Sequence, residues 1–178
     1  MLHRHRLKLF IGLVLAQVLF LAGIAGSSYA VGWFGKEVRI QTAPVDPRDL
    51  LYGDYVILNY EISLLNRSLW KDSSEPAASQ GKAVYVVLKP ESSEAKAIYN
   101  AVGIYASKPK LQEDEVLLKG RIDYDDGSRL HIKYGLEKYY VPENSGTKLE
   151  QQAGGMVARI KVAPWGSPVI EKLEASSF

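Results

Sequence analysis

Residues 116–134, VLLKGRIDYDDGSRLHIKY, decide the fold class. In the first half Val116, Leu118, Ile122 and Tyr124 fall on one side, and in the second half Leu130, Ile132 and Tyr134 do the same. A repeat of two is the period of a strand with one face buried. Between the halves stand Asp125, Asp126 and Gly127, which carry turn chemistry. A two-residue Asp126-Gly127 turn would set Ile122 opposite His131 and mix core with solvent residues on one face. A three-residue loop with glycine in the left-handed region instead pairs Ile122 with Leu130 and Arg121 with His131, and this is the register expected.

Working outward, similar runs recur between Gly, Pro, Asp and Ser clusters. Residues 36–42 form a first candidate strand. Tyr55 to Ser63, YVILNYEIS, puts Val56, Leu58, Tyr60 and Ile62 on a core face. Lys82 to Lys89 is apolar on both sides, as a central strand is. Leu136 to Val141, Met156 to Val162 and Val169 to Leu173 continue the series, with Pro164-Trp165-Gly166 as a turn. Thr147-Lys148-Leu149-Glu150 has capping-box spacing and Gly154-Gly155 follows, which predicts one short helix. Residues 66–81 read as an exposed loop tethered by Trp70. Residues 94–107 fit helix by their alanines and strand by their Ile, Val and Tyr. The expectation is a mainly β domain, a small antiparallel sandwich or partly closed barrel with one short helix.

The other end of the chain has a different character. No residue from Leu9 to Gly35 is formally charged, and Leu9 to Ile24 is almost continuously apolar. About 20 helical residues cover the roughly 30 Å hydrocarbon core, so this stretch suffices for one span. Arg4, Arg6 and Lys8 precede it, which predicts a cytoplasmic N-terminus and an exported remainder. Tyr29, Trp33 and Phe34 fall where the helix leaves the membrane, a level favoured by aromatic rings. The competing reading is a cleaved signal peptide, with Ser28 and Ala30 at the −3 and −1 positions. The division expected is 1–8 basic tail, 9–30 anchor and 31–178 exported domain. Gly12, Ala16 and Gly23 share a helix face and Gln17 lies near mid-membrane, a pattern that suits a second transmembrane helix as well as an isolated span.

Composition narrows the chemistry. The 178 residues include no cysteine, which removes disulfides, thiolate nucleophiles and sortase-like transpeptidation. Of 22 basic residues three are in the tail, leaving 19 against 20 acidic ones, so no basic excess supports nucleic-acid binding. Two of three histidines, His3 and His5, are in the tail. No cofactor and no metal are expected. The exported histidine, His131, sits on a polar strand face between Arg129 and Lys133, unlike a triad base. A Ser-Lys peptidase lacks an identifiable nucleophile turn and lysine base, and Glu143 with Glu150 as a glycosidase pair is matched by capping and surface roles.

The densest polar cluster is PVDPRDLLYGDYVILNY, residues 44–60, with Asp46, Asp49 and Asp54 around Arg48. Such carboxylates could hold a hard cation or form an acid and base pair. The same residues serve as Asx turns at Asp46-Pro47 and Gly53-Asp54, and that structural reading is preferred. Gly53 allows the tight turn, Leu58 and Tyr60 point inward, and Tyr55 points to the other side.

Gly53-Asp54-Tyr55-Val56-Ile57-Leu58-Asn59-Tyr60 resembles, in every defined position, the signature of the GDYXXLXY family of membrane-anchored proteins. Tyr139-Tyr140-Val141-Pro142-Glu143, with Gly146 and Leu149-Glu150 after it, is similar to that family's downstream element. Tyr52 departs from it, standing where many members have a basic residue, so no anion contact is carried over to it. The resemblance implies a membrane anchor and a multi-spanning membrane protein as partner. It implies no reaction. The function expected is a non-catalytic accessory or interaction subunit at the membrane. The alternatives are a domain that binds envelope sugars or peptides through rings such as Tyr134, Tyr139 and Tyr140, and a membrane-anchored hydrolase.

Overall fold

A computed structural model describes residues 2–44, 55–72, 80–94, 96–140 and 155–175. In chain order these form α1 (Leu2–Phe34), β1 (Lys36–Ala43), β2 (Tyr55–Ile57), β3 (Asn59–Tyr60), β4 (Leu64–Asn66), β5 (Ala83–Pro90) and β6 (Tyr99–Tyr105). Then follow β7 (Val116–Asp125), β8 (Arg129–Lys133), β9 (Lys138–Tyr140), β10 (Met156–Val162) and β11 (Pro168–Ala175). Single 3-10 turns at Glu61–Ser63 and Arg67–Leu69 flank β4. The short helix expected after Thr147 lies outside the described residues.

A five-stranded sheet, β4-β8-β7-β5-β6, and a four-stranded sheet, β11-β10-β1-β3, enclose one core. Arg39 of β1 pairs with Arg159 of β10 on one edge and bridges Ile98 on the other. Tyr60 of β3 pairs with Thr42 on that second edge as well. Both ends of the five-stranded sheet therefore reach the same edge of β1: β6 directly, and β4 through residues 61–63 and β3. The result is a nearly closed antiparallel sheet, with β10 adding Ala158, Ile160 and Val162 to the core. The mainly β, partly closed expectation is met.

Pairing corrects two local readings and resolves a third. Residues 55–63 are not one strand: β2 pairs with β9, β3 pairs with β1, and a 3-10 turn follows. The inward positions survive this change of partner, and Leu58, Tyr60 and Ile62 are all buried. Residues 99–105 resolve as strand, laid along β5. In the β7–β8 hairpin Ile122 pairs with Ile132 and Arg121 with Lys133, not with Leu130 and His131. A bulge at Asp123 then sets Tyr124 opposite His131, so Tyr124 faces solvent at 51% exposure instead of the core. Gly127 does adopt positive φ (+88°), as the first of the two residues between Asp126 and Arg129, where Asp126 N donates to Arg129 O at 3.1 Å.

α1 meets the barrel without a linker. Gly35 alone separates it from β1. Val31 is buried against the barrel, Gly35 N donates to Val31 O at 2.9 Å, and Lys161 Nζ donates to Gly32 O at 2.9 Å. That lysine supplies a cation and a donor to a helix C-terminus, which has unpaired carbonyls and negative dipole. A Cβ at Gly35 would collide with the Val31 carbonyl oxygen and crowd Lys161 and Val162, so glycine is required there. This end of the barrel is the near pole; β1 runs from it to Ala43 at the far pole.

Candidate functional site

The described parts of the two sequence elements that stood out, 55–60 and 139–140, meet at the far pole. Tyr55 pairs with Tyr140, Val56 with Tyr139 and Ile57 with Lys138. Leu58 N then donates to Glu137 O at 2.9 Å, after which Asn59 and Tyr60 pass to Ala43 and Thr42. Residues 55–60 are thus clamped between β9 and the end of β1. The alternation of small and large demands explains the motif locally: Leu58 and Tyr60 point into the core while the backbone hands over from one neighbour to another.

Two buried phenols cross between the joined segments. Tyr60 Oη donates to Leu136 O at 2.7 Å, and Tyr134 Oη donates to Ile62 O at 2.7 Å. Each supplies a partner to a buried carbonyl that water does not reach, and an orphaned group of this kind costs about 1–3 kcal/mol. Burial, and secondarily the Glu137 carboxylate, push both phenols above the ordinary tyrosine range. They stay protonated and act as donors, not as acids or bases. The Glu137 carboxylate is itself occupied, accepting from Tyr134 N at 2.6 Å and Gly135 N at 2.9 Å across a turn in which Gly135 has φ +81°. Thr42 Oγ1 donates to Met156 O and accepts from Met156 N, fastening β1 to β10 at the same pole.

Of the residues singled out from sequence, Leu58 and Tyr60 are core residues here, and Tyr55 lies in β2. Asp46, Arg48, Asp49, Gly53, Asp54, Glu143 and Glu150 lie outside the described residues. Sequence reasoning missed Glu137 and the pairing of Tyr60 with Leu136. The available signal was Tyr134-Gly135-Leu136-Glu137, a glycine turn closed by a carboxylate.

A second polar cluster occupies the outer face of β7 and β8. Asp123, the bulged residue, lies 3.2 Å from His131 Nδ1 and 3.0 Å from Lys133 Nζ. Lys133 chiefly holds the Asp123 carboxyl below its usual range. His131 stacks on Tyr124 with ring centroids 4.8 Å apart. The histidine is therefore a partly covered member of a surface cluster in which its carboxylate is shared with a lysine. A cleft of about 390 Å³ opens nearby between β7, the 133–137 turn and Ser167-Pro168, with Lys119, Arg121 and Glu137 among its lining. It offers cations, while its one carboxylate is already taken by backbone amides. Among the described residues no group of three His, Cys, Asp or Glu side chains is placed to hold a metal ion.

The GDYXXLXY protein family model matches residues 17–173. The chain belongs to the GDYXXLXY protein family. No curated protein and no solved structure matches it. The signature of this GDYXXLXY protein is, on the geometry above, the place where its barrel is locked: the segment from Tyr55 to Tyr60 reaches β9 and β1 at once, and its last tyrosine is sealed inside. Tyr134 is buried too, so Tyr134, Tyr139 and the exposed Tyr140 do not form one aromatic platform.

Proposed function

We propose that this protein is a single-span membrane protein, with its N-terminus in the cytoplasm and its barrel outside, that serves as a non-catalytic accessory or interaction subunit of a multi-spanning membrane protein. The observation that carries the reading is α1. Its Lys8–Phe34 stretch is apolar and long enough to cross a membrane, its apolar length is uncovered by the barrel, and it enters that barrel with no linker. Leu58 and Tyr60 of the signature support the same reading, because they are spent on holding the fold. A retained helix is preferred to a cleaved signal because cleavage after Ala30 would put a charged α-amino group on buried Val31.

The absence of native cysteine makes each introduced one unique. A membrane-impermeant maleimide added to intact cells labels Lys96→Cys and spares His3→Cys if the orientation is as proposed; the reverse pattern overturns it. Photo-crosslinking residues placed at Gly12, Ala16 and Gly23 test the partner. These three share a helix face, and Val14 and Leu21 lie on the opposite one. Adducts to a multi-spanning protein from the small-residue face alone support the accessory role. Lipid-only adducts from both faces in cells overturn it.

A further inference from the structure

We infer that the near pole of the barrel is a second membrane contact, in which Leu111 and Trp165, beside Trp33 and Phe34 at the end of α1, sit in the phospholipid headgroup layer and hold the barrel in one orientation on the bilayer. This rests on the proposed reading of α1 as a retained span.

The depth follows from the helix. Its 25 steps from Leu9 to Phe34, at about 1.5 Å each, span about 35–38 Å once a tilt of roughly 20° is allowed. About 30 Å of that crosses hydrocarbon, which leaves Phe34 about 5–8 Å beyond it, within the headgroup layer. Gly35 gives no slack, and the buried Val31 together with the Lys161 to Gly32 bond fixes the helix end against the barrel. Whatever lies level with Phe34 therefore lies at the same depth.

Two loops do so. A cavity of about 120 Å³ is lined by Phe34, Lys36, Leu111, Val162, Ala163 and Pro164, which places the loop before β7 and the β10–β11 turn directly beside the helix end. Lys108 Nζ donates to Pro164 O at 3.3 Å and ties the two loops together. Trp165 stands at the tip of a rigid turn: Lys119 N donates to Gly166 O at 2.9 Å and Gly166 N to Ala163 O at 2.8 Å, with Gly166 at φ +93°. Trp165 is nevertheless 45% exposed, and Leu111, Trp33 and Phe34 are exposed as well. Four large apolar side chains held open to water around one helix end form the surface that an interface rewards, since indole partitions to the headgroup level. The nearby charges are of both signs, Lys36, Lys108 and Lys110 against Glu113, Asp114 and Glu115, so anionic lipid is not required.

The chain has three tryptophans, Trp33, Trp70 and Trp165. Trp70 bridges Ile104, at the end of β6 remote from α1, and serves as the internal control. Full-length variants retaining one tryptophan each, the others changed to Phe, are placed in phosphatidylcholine nanodiscs carrying lipid brominated high on the acyl chain. Quenching of Trp165 at least half as strong as that of Trp33, with Trp70 near zero, is the expected result. Trp165 quenched no more than Trp70 overturns the seating while leaving the span intact. Trp33 unquenched overturns the span itself. As a second readout, a nitroxide at Leu111→Cys is expected to show a several-fold higher ratio of oxygen to water-soluble nickel-chelate accessibility than one at Ser128→Cys in the β7–β8 turn; a Leu111 label that matches Ser128 overturns the seating.

Discussion

At the far pole two side chains of the family signature, Leu58 and Tyr60, are sealed in the core, and two phenol hydroxyls cap carbonyls of the segment opposite. At the near pole Trp33, Phe34, Leu111 and Trp165 are held rigidly with apolar surface open to water. The contrast separates two kinds of constraint. A signature can mark where a chain is locked to itself, while an unmet physical demand marks where it meets something else, and in this molecule the two lie at opposite ends of one barrel.

The largest expected effect sharpens that contrast. Leu58→Ala empties a fully buried site and is expected to cost about 2–5 kcal/mol. Leu111→Ala, at the near pole, should stay within about 0.5 kcal/mol in detergent. Urea unfolding of the full chain in mild detergent measures both. Equal losses would mean that the near pole is a packed part of the fold, and the comparison would collapse.

Next come the phenols. Tyr60→Phe and Tyr134→Phe each leave a buried carbonyl without a donor and should cost about 1–3 kcal/mol. The pH dependence has a definite sign. Both groups have folded-state pKa values raised by burial, so the stabilisation they bring is fully present below the unfolded value of about 10 and is lost as pH rises beyond it. Melting temperature should fall above about pH 10, and less steeply in the double Phe variant. A drop of the same steepness in both proteins would place the alkaline lability elsewhere.

A smaller loss is expected from Gly127→Val. The site has φ +88° and open space around a built Cβ, so the cost is backbone strain alone, about 1–2 kcal/mol. Val at Gly12 of α1, also with open space but with ordinary helical backbone, should leave the barrel's melting unchanged. If the two substitutions behave alike, the turn does not hold its glycine in the left-handed region.

Much of this fold was legible from alternation. β7 and β8 occur where the period of two put them and β5 and β10 where β-rich runs did, and the inward set Leu58, Tyr60 and Ile62 was identified even though the strand carrying them is broken. What alternation does not encode is the partner. The change from β9 to β1 at Leu58, and the bulge at Asp123 that turns Tyr124 outward, are decided by residues 137–140 and by His131, distant or across a turn. Residues 99–105 were ambiguous for the same reason: their own composition suits either state, and pairing with β5 selects strand. Of the site, the signature was visible as a turn followed by an inward Leu and Tyr; its lock onto Leu136 and Glu137 was not, because no local pattern reports a hydrogen bond between residues 76 apart.

The smallest effect concerns the β7–β8 turn. Asp126 Oδ1 accepts from Ser128 N at 2.9 Å, Ser128 Oγ at 2.8 Å and Arg129 N at 2.6 Å, closing the β7–β8 turn. The Ser128 hydroxyl first, then the Arg129 and Ser128 amides, hold its carboxyl at about 2, below the ordinary value near 4. A depressed folded-state pKa means that its contribution is present above about pH 4 and disappears as pH falls from there towards 2. The carboxyl is solvent-exposed, so screening keeps the contribution small. Asp126→Asn retains an acceptor oxygen but cannot titrate. The difference in melting temperature between the natural chain and this variant should therefore be small and constant from pH 7 to pH 5 and shrink between pH 4 and pH 2. A difference that stays flat through that range would show that the turn is held by Gly127 and the strand register without help from the carboxylate.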